Sequence, residues 1–154
     1  MLCDTDAAYI AGLIDGEGTV TLGRKHRNEN RQLVVSISNN EIALLEFVLN
    51  SVRTGKITTK RKTRPHHANS YTYTVYNRQA LALLEQVQPY LKTSKARRTE
   101  IILRDYLRLT PRNGKYTVEQ LRERKAFEKR VLAINSRAVH SVVFWSFSVA
   151  SSDR

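Results

Sequence analysis

The chain has 154 residues, 41% hydrophobic and 26% charged, enough for one folded domain with its own core and outside the range of a disordered tail. Its 26 Lys and Arg against 14 Asp and Glu leave a formal net charge of +12, which repels itself in a compact fold and so points to an anionic partner, nucleic acid ahead of a membrane surface. No apolar run approaches the roughly 20 residues of a spanning helix, the start has neither a basic nor an apolar leader segment, and the one cysteine, Cys3, excludes an internal disulfide framework.

The charge is zoned. Residues 1–23 hold acids but no Lys or Arg, and basic groups then arrive in three clusters: Arg24, Lys25, Arg27 and Arg31; Lys56, Lys60, Arg61, Lys62 and Arg64; Lys92, Lys95, Arg97 and Arg98. A first helix is expected from a cap at Thr5 or Asp6, with Ala8, Ala11 and Gly12 making a flat face that a second helix can approach closely. Gly16 and Gly18 are expected to end it through the left-handed turn that glycine tolerates.

A strand over residues 19–26, a turn at 28–30 and a strand over 31–38 follow. A helix over 41–52, a strand over 56–61, a loop at 65–69 and a strand at 71–75 come next. Helices are expected over 78–88, ended by Pro89, over 95–109, and from a Thr117–Gln120 capping box to about 134. The order αββαββα with further C-terminal helices predicts an α+β fold, an antiparallel sheet under one layer of helices. One sheet face gathers Leu33, Val35, Ile37, Tyr71, Tyr73 and Val75 as core. The other carries Thr21, Lys25, Gln32, Ser36, Ser38, Thr58, Lys60, Ser70, Thr72 and Thr74, a hydroxyl-rich basic surface able to meet phosphates and base edges.

Asp15 and Glu17 fall where the first helix ends. That end carries partial negative charge, so the carboxylates invite a cation, and no local Lys or Arg supplies one. Mg²⁺ is commonly held by one or two carboxylates, waters and substrate phosphate. His26, His66 and His67 with a remote Cys3 make a poor zinc set.

The segment Ile10-Ala11-Gly12-Leu13-Ile14-Asp15-Gly16-Glu17-Gly18 resembles the LAGLIDADG motif of homing endonucleases and intron maturases, with spacing intact and size or charge class kept at each change. The resemblance runs over about residues 5–110 and implies a single LAGLIDADG endonuclease domain over 1–154, with a saddle-shaped antiparallel sheet, C-terminal helices at about 95–135 and a tail at 136–154 of open role. It implies a homodimer, since the motif occurs once, with Ala8, Ala11, Gly12 and Asp15 at the helix interface and a near-palindromic double-stranded DNA target. Glu17 would bind metal with Gly16, and Asp15 would hold the turn through backbone N–H groups. The implied ion is Mg²⁺, with Mn²⁺ able to substitute and Ca²⁺ expected to bind without supporting cleavage; no small-molecule cofactor or membrane is implied.

Two further site residues follow from the resemblance. Asn39 either orients a water or phosphate or caps the next helix, and Lys95, with Lys92 in reserve, either stabilises charge at the scissile phosphate or only binds phosphate. The family's helix-start arginine has no counterpart, since Ala43 falls there. The DNA-contacting set is Thr21, Arg24, Lys25, Arg27, Gln32, Val34, Ser36, Ser38, Thr58, Lys60, Lys62, Ser70, Thr72 and Thr74. An intron RNA maturase or a non-cleaving DNA-binding protein on the same fold stands as the alternative, and a basic ribosome-associated protein is a more distant one. The expected setting is intracellular and reducing, in an organelle or a bacterial or archaeal cytoplasm.

Overall fold

Helix α1, Asp4–Glu17, buries Ala7, Ile10, Ala11 and Ile14, a stripe at helical spacing that faces the core in this computed structural model, which describes residues 1–59 and 69–134. The helix starts ahead of the expected Thr5 or Asp6 cap. Cys3 precedes it in extended conformation with no side-chain cap, and Asp4 and Asp6 in the first turn complement the helix dipole instead. Two expectations for this segment are corrected. Ala11 is fully buried in the chain's own core, so it cannot lie on an interface. Gly18 is extended at φ −103°, not left-handed, and opens β1 while Gly16 stays helical. Glycine is needed at 18 for space: an added Cβ would sit 2.6 Å from Ile14 Cα and 3.0 Å from the Ser36 carbonyl oxygen.

Strand β1, Gly18–Gly23, pairs antiparallel with β2, Gln32–Asn39, from Gly18 opposite Ile37 to Gly23 opposite Gln32. The strand expected to reach residue 26 stops at Gly23, and residues 24–30 form an exposed loop closed by a bond from the Glu29 N–H to the His26 carbonyl. Helix α2, Ile42–Val52, follows and buries Leu45 and Val48. Strand β3, Lys56–Thr59, and strand β4, Tyr71–Tyr76, complete an antiparallel sheet in the order β1-β2-β4-β3. Helix α3, Asn77–Val87, runs into a 3₁₀ turn at Gln88–Tyr90, where Pro89 ends the α-helical pattern as expected.

Helix α4, Ser94–Asp105, is shorter than expected. The chain turns at residues 106–109, ahead of Thr110-Pro111, a pair that disfavours helix. Helix α5, Val118–Ala133, opens on the expected capping box, with both reciprocal Thr117–Gln120 bonds present.

The core is one layer. Val20, Leu22, Leu33, Val35, Ile37, Tyr73 and Val75 from the sheet meet Ile10, Ile14, Leu45, Val48, Leu84, Ile102 and Phe127 from the helices. Tyr71 was expected among them and is half-buried at the strand's start. The α+β class and the αββαββα order with two C-terminal helices are those read from the sequence. Lys60 and Lys62, Arg61 and Arg64, the loop at 65–68 and the tail at 136–154 lie outside the described residues.

Candidate nucleic-acid interface and acidic helix end

Because the strands alternate, every second residue leaves the core for the opposite face, and antiparallel register aligns these residues in rows. Thr19 stands opposite Ser36, Ser36 opposite Thr74, and Thr74 opposite Lys56. A second row joins Ser38, Thr72 and Thr58, and a third joins Thr21, Val34 and Tyr76. Gln32 closes the face at its far end, bonded by the Asn77 amide at 3.1 Å. The Ser38 and Thr72 hydroxyls bond each other at 2.9 Å, which fixes their rotamers.

Most of the expected contact residues on the described strands thus share one face. Thr74 is an exception in degree: at 8% exposure it is nearly covered between its row neighbours, too deep for a primary contact. Lys25 is not on the sheet. With Arg24 and Arg27 it is exposed in the β1–β2 loop, because the strand ends at Gly23. Ser70 lies at the other end, beside Glu17. Three residues of this face were missed: Thr19, Lys56 and Tyr76. Each sits two positions from a named residue, so strict period-two counting would have found them.

Glu17 is the last residue of α1, exposed, and makes no ion pair among the described residues. With Ser38, Asn39, Asn40 and Ser70 it lines a shallow cleft of about 260 Å³ at the sheet's margin. Asn39 accepts the Glu41 N–H at 2.8 Å, so its carbonyl oxygen supports the turn into α2 and its amide N–H₂ remains for the cleft.

Asp15, two residues earlier, is used up by the fold. Its carboxylate accepts the Lys92 N–H and the Thr93 hydroxyl, both at 2.6 Å, and so ties α1 to the segment before α4. The family resemblance implied Asp15 at the helix interface; its carboxylate turns into the chain instead. Expected to hold the turn through backbone N–H groups, it takes instead one backbone N–H and one hydroxyl, 77 and 78 positions away. Lys95 joins from the same segment: its ammonium donates to the Asp15 carbonyl at 2.7 Å, at the negative end of α1's dipole. Burial pushes the Lys95 pKa down, against a pull upward from Asp15, with Arg98 adding to the fall. Lys92 contributes its backbone here while its side chain is exposed.

Gly12 and Gly16 stand exposed on α1 with open space where a Cβ would be, and Ala8 lies exposed on the same helix. Among the described residues no three His, Cys, Asp or Glu gather as a metal cluster. One chain therefore offers Glu17 alone, with the Gly16 carbonyl among the last-turn carbonyls that a helix leaves without intrahelical partners. This all-oxygen set suits a hard divalent cation and not zinc.

The sequence pattern of the LAGLIDADG-like domain matches residues 4–137. No curated protein sequence matches the chain. The homing endonuclease I-CvuI, solved in complex with its target in the presence of Ca, is similar in structure, with a TM-score of 0.69 and 16% identity over 91% of this chain and 88% of that one. The archaeal intron-encoded homing endonuclease I-Vdi141I, complexed with DNA, gives 0.67 and 18% over 91% and 90%. The LAGLIDADG meganuclease I-AabMI, bound to uncleaved DNA, gives 0.59 and 20%, with 79% of this chain covering only 43% of that one. At these identities the likeness is one of fold.

Proposed function

The chain belongs to the LAGLIDADG-like domain family, and from that membership we propose that it is a site-specific double-strand DNA endonuclease of the homing type, acting as a homodimer with a divalent metal ion. The observation that carries the reading is Glu17: an exposed acid, unpaired among the described residues, set where α1 meets a hydroxyl-rich sheet face. The similar structures named above, homing endonucleases and meganucleases in complex with DNA, support it.

One acid per chain accounts for one strand. Two chains related by a two-fold axis would supply two, and the open face of α1 at Ala8, Gly12 and Gly16 is the surface on which such helices could meet. The target of that dimer would be near-palindromic. Glu17 and the Gly16 carbonyl would hold Mg²⁺, with Mn²⁺ able to substitute and Ca²⁺ binding without cleavage. When bound, the ion supplies charge neutralisation at the scissile phosphate and activation of water.

The chain's own groups do the rest. Lys95, its ammonium bonded to the Asp15 carbonyl near the end of α1, would supply a cation to stabilise charge building on the phosphate. The Asn39 amide donates into the cleft toward a water or a phosphate oxygen. Thr19, Thr21, Gln32, Ser36, Ser38, Thr58 and Thr72 present donors and acceptors to base edges, while Lys56, Arg24, Lys25 and Arg27 hold phosphates.

The test is cleavage of a library of randomised and intron-insertion-site duplexes by the full chain, with Mg²⁺ and with EDTA, beside Glu17→Gln. Expected are double-strand breaks that need the metal and fall by about 10³-fold or more in the variant, with DNA binding kept. Specific binding without cleavage under any divalent ion would overturn the nuclease and favour a maturase or a DNA-binding regulator. Light scattering that finds monomers on and off DNA would overturn the dimer.

A further inference from the structure

Far from Glu17, three charged side chains are buried or half-buried around the base of the β1–β2 loop. Arg124 of α5 is only 3% exposed. One of its guanidinium nitrogens donates to the Leu109 carbonyl at 2.6 Å and the Thr110 hydroxyl at 2.8 Å, and another donates to the Arg31 carbonyl. Its Nε faces Glu128 at 3.4 Å, and its guanidinium lies over the Tyr116 ring at 5.4 Å. Glu128 reaches on to Arg31 at 3.6 Å, and Arg31 donates to the Leu22 carbonyl at 3.1 Å. Leu22 and Arg31 stand on either side of the loop, beside the last β1–β2 pair of Gly23 with Gln32. The network therefore grips both legs of the hairpin where the loop leaves the sheet.

Packing alone does not call for it. Phe127 and Val131 already dock α5 by fully buried apolar contact. A buried ion pair commonly stabilises less than apolar residues of the same volume, so what it adds is direction. Three guanidinium bonds landing on two separate chain segments fix an orientation that an apolar contact leaves free. The loop so held is exposed throughout residues 24–30 and carries Arg24, Lys25 and Arg27 against one acid, Glu29. Measured along β1 at about 3.3 Å per residue, it lies roughly 20 Å from Glu17. That is about six base-pair steps.

We infer that the Arg124–Glu128 pair of α5 is a positioning clamp, setting where the β1–β2 loop meets target DNA on the flank of the site. The DNA half of this inference rests on the endonuclease reading; the clamp itself does not. The test uses the full chain carrying Arg124→Met with Glu128→Leu, which removes the pair without leaving a lone buried charge. In the DNA-free protein, amide hydrogen exchange at residues 22–33 should rise about tenfold or more as the hairpin base loosens. On a duplex selected by the wild type from a randomised library, base-pair preference about six positions from the centre and beyond should flatten. Preference at the centre and the cleavage rate of bound DNA should hold. If the double variant does not fold, Arg31→Met removes only the loop-side end of the network and carries the same readouts.

Unchanged exchange in a folded variant overturns the clamp. Raised exchange with unchanged flank preference overturns its link to DNA. A wild-type chain that selects no duplex overturns the endonuclease reading and the DNA half of this one together, leaving the clamp to the exchange result.

Discussion

The two ends of the sheet are built on opposite uses of charge. At the β1–β2 loop end, Arg31, Arg124 and Glu128 are drawn into one network whose product is rigidity. At the α1 end, Asp15 alone carries the scaffolding, through two short bonds, and Glu17 beside it is left exposed. Two acids of nearly equal chemistry, two positions apart, thus take different roles because only one meets donors from the segment before α4. A group free for chemistry needs a neighbour that is not free.

The comparison can be broken most sharply at the joint between helix and sheet. Gly18→Ala drives a Cβ against the Ile14 and Ser36 backbones, neither of which can swing aside, and should cost about 2–3 kcal/mol in thermal or denaturant unfolding. An unfolding midpoint equal to wild type would mean the joint has slack.

Next in size is Asp15→Ala. It strands the Lys92 N–H and the Thr93 hydroxyl and loosens the seat of Lys95, for a loss of about 1–3 kcal/mol. Cleavage should fall with it although Glu17 is intact. Asp15→Asn, which keeps an acceptor, should lose less in both measurements.

A pH titration sharpens the contrast between used and unused acids. The hydrogen bond from Arg104 holds the Asp105 carboxyl below its ordinary range; burial opposes this, and the charges of Arg104, Arg130 and Arg108 reinforce it. A carboxyl lowered in the folded state stabilises above its unfolded pKa, and that stability is lost as pH falls through the lower folded value. Stability should therefore drop on the acid side of the ordinary carboxylate range, and Asp105→Asn should flatten that limb in melts taken across pH.

The smallest expected effect belongs to the open face. Lys56→Ala removes one cation opposite Thr74, so DNA affinity should fall modestly for all sequences alike, and the slope of log affinity against log salt should shrink by about 1. A change in base preference instead would mean Lys56 reads bases.

Much of the fold was legible because its signals are local. Alternation at 31–38 and 71–75, helical spacing at 41–52 and the Thr117–Gln120 box each lie within a few residues, and each element appears within about a residue of where these signals put it. Ends were less legible. The strand read to residue 26 stops at Gly23, since nothing in Arg24-Lys25-His26 forbids a strand locally and only the lack of a partner ends it. Of the site, the motif spacing singled out Glu17, and the family resemblance suggested Lys95 with Lys92 in reserve; the fold brings Lys95 to the Asp15 carbonyl two residues from Glu17.

By itself the sequence determined the order of helices and strands, the position of the acidic pair and the excess of positive charge, all of which follow from residue type and short spacing. Tertiary structure alone decided that Ala11 faces inward, that Asp15 is engaged while Glu17 is exposed, that Thr74 is covered while Lys56 shares its row, and that an arginine of α5 holds the base of a loop 93 positions earlier. The physical reason is range: propensity and periodicity act within a turn or a strand pair, whereas the use of a charge depends on which distant donor or acceptor the folded chain sets against it.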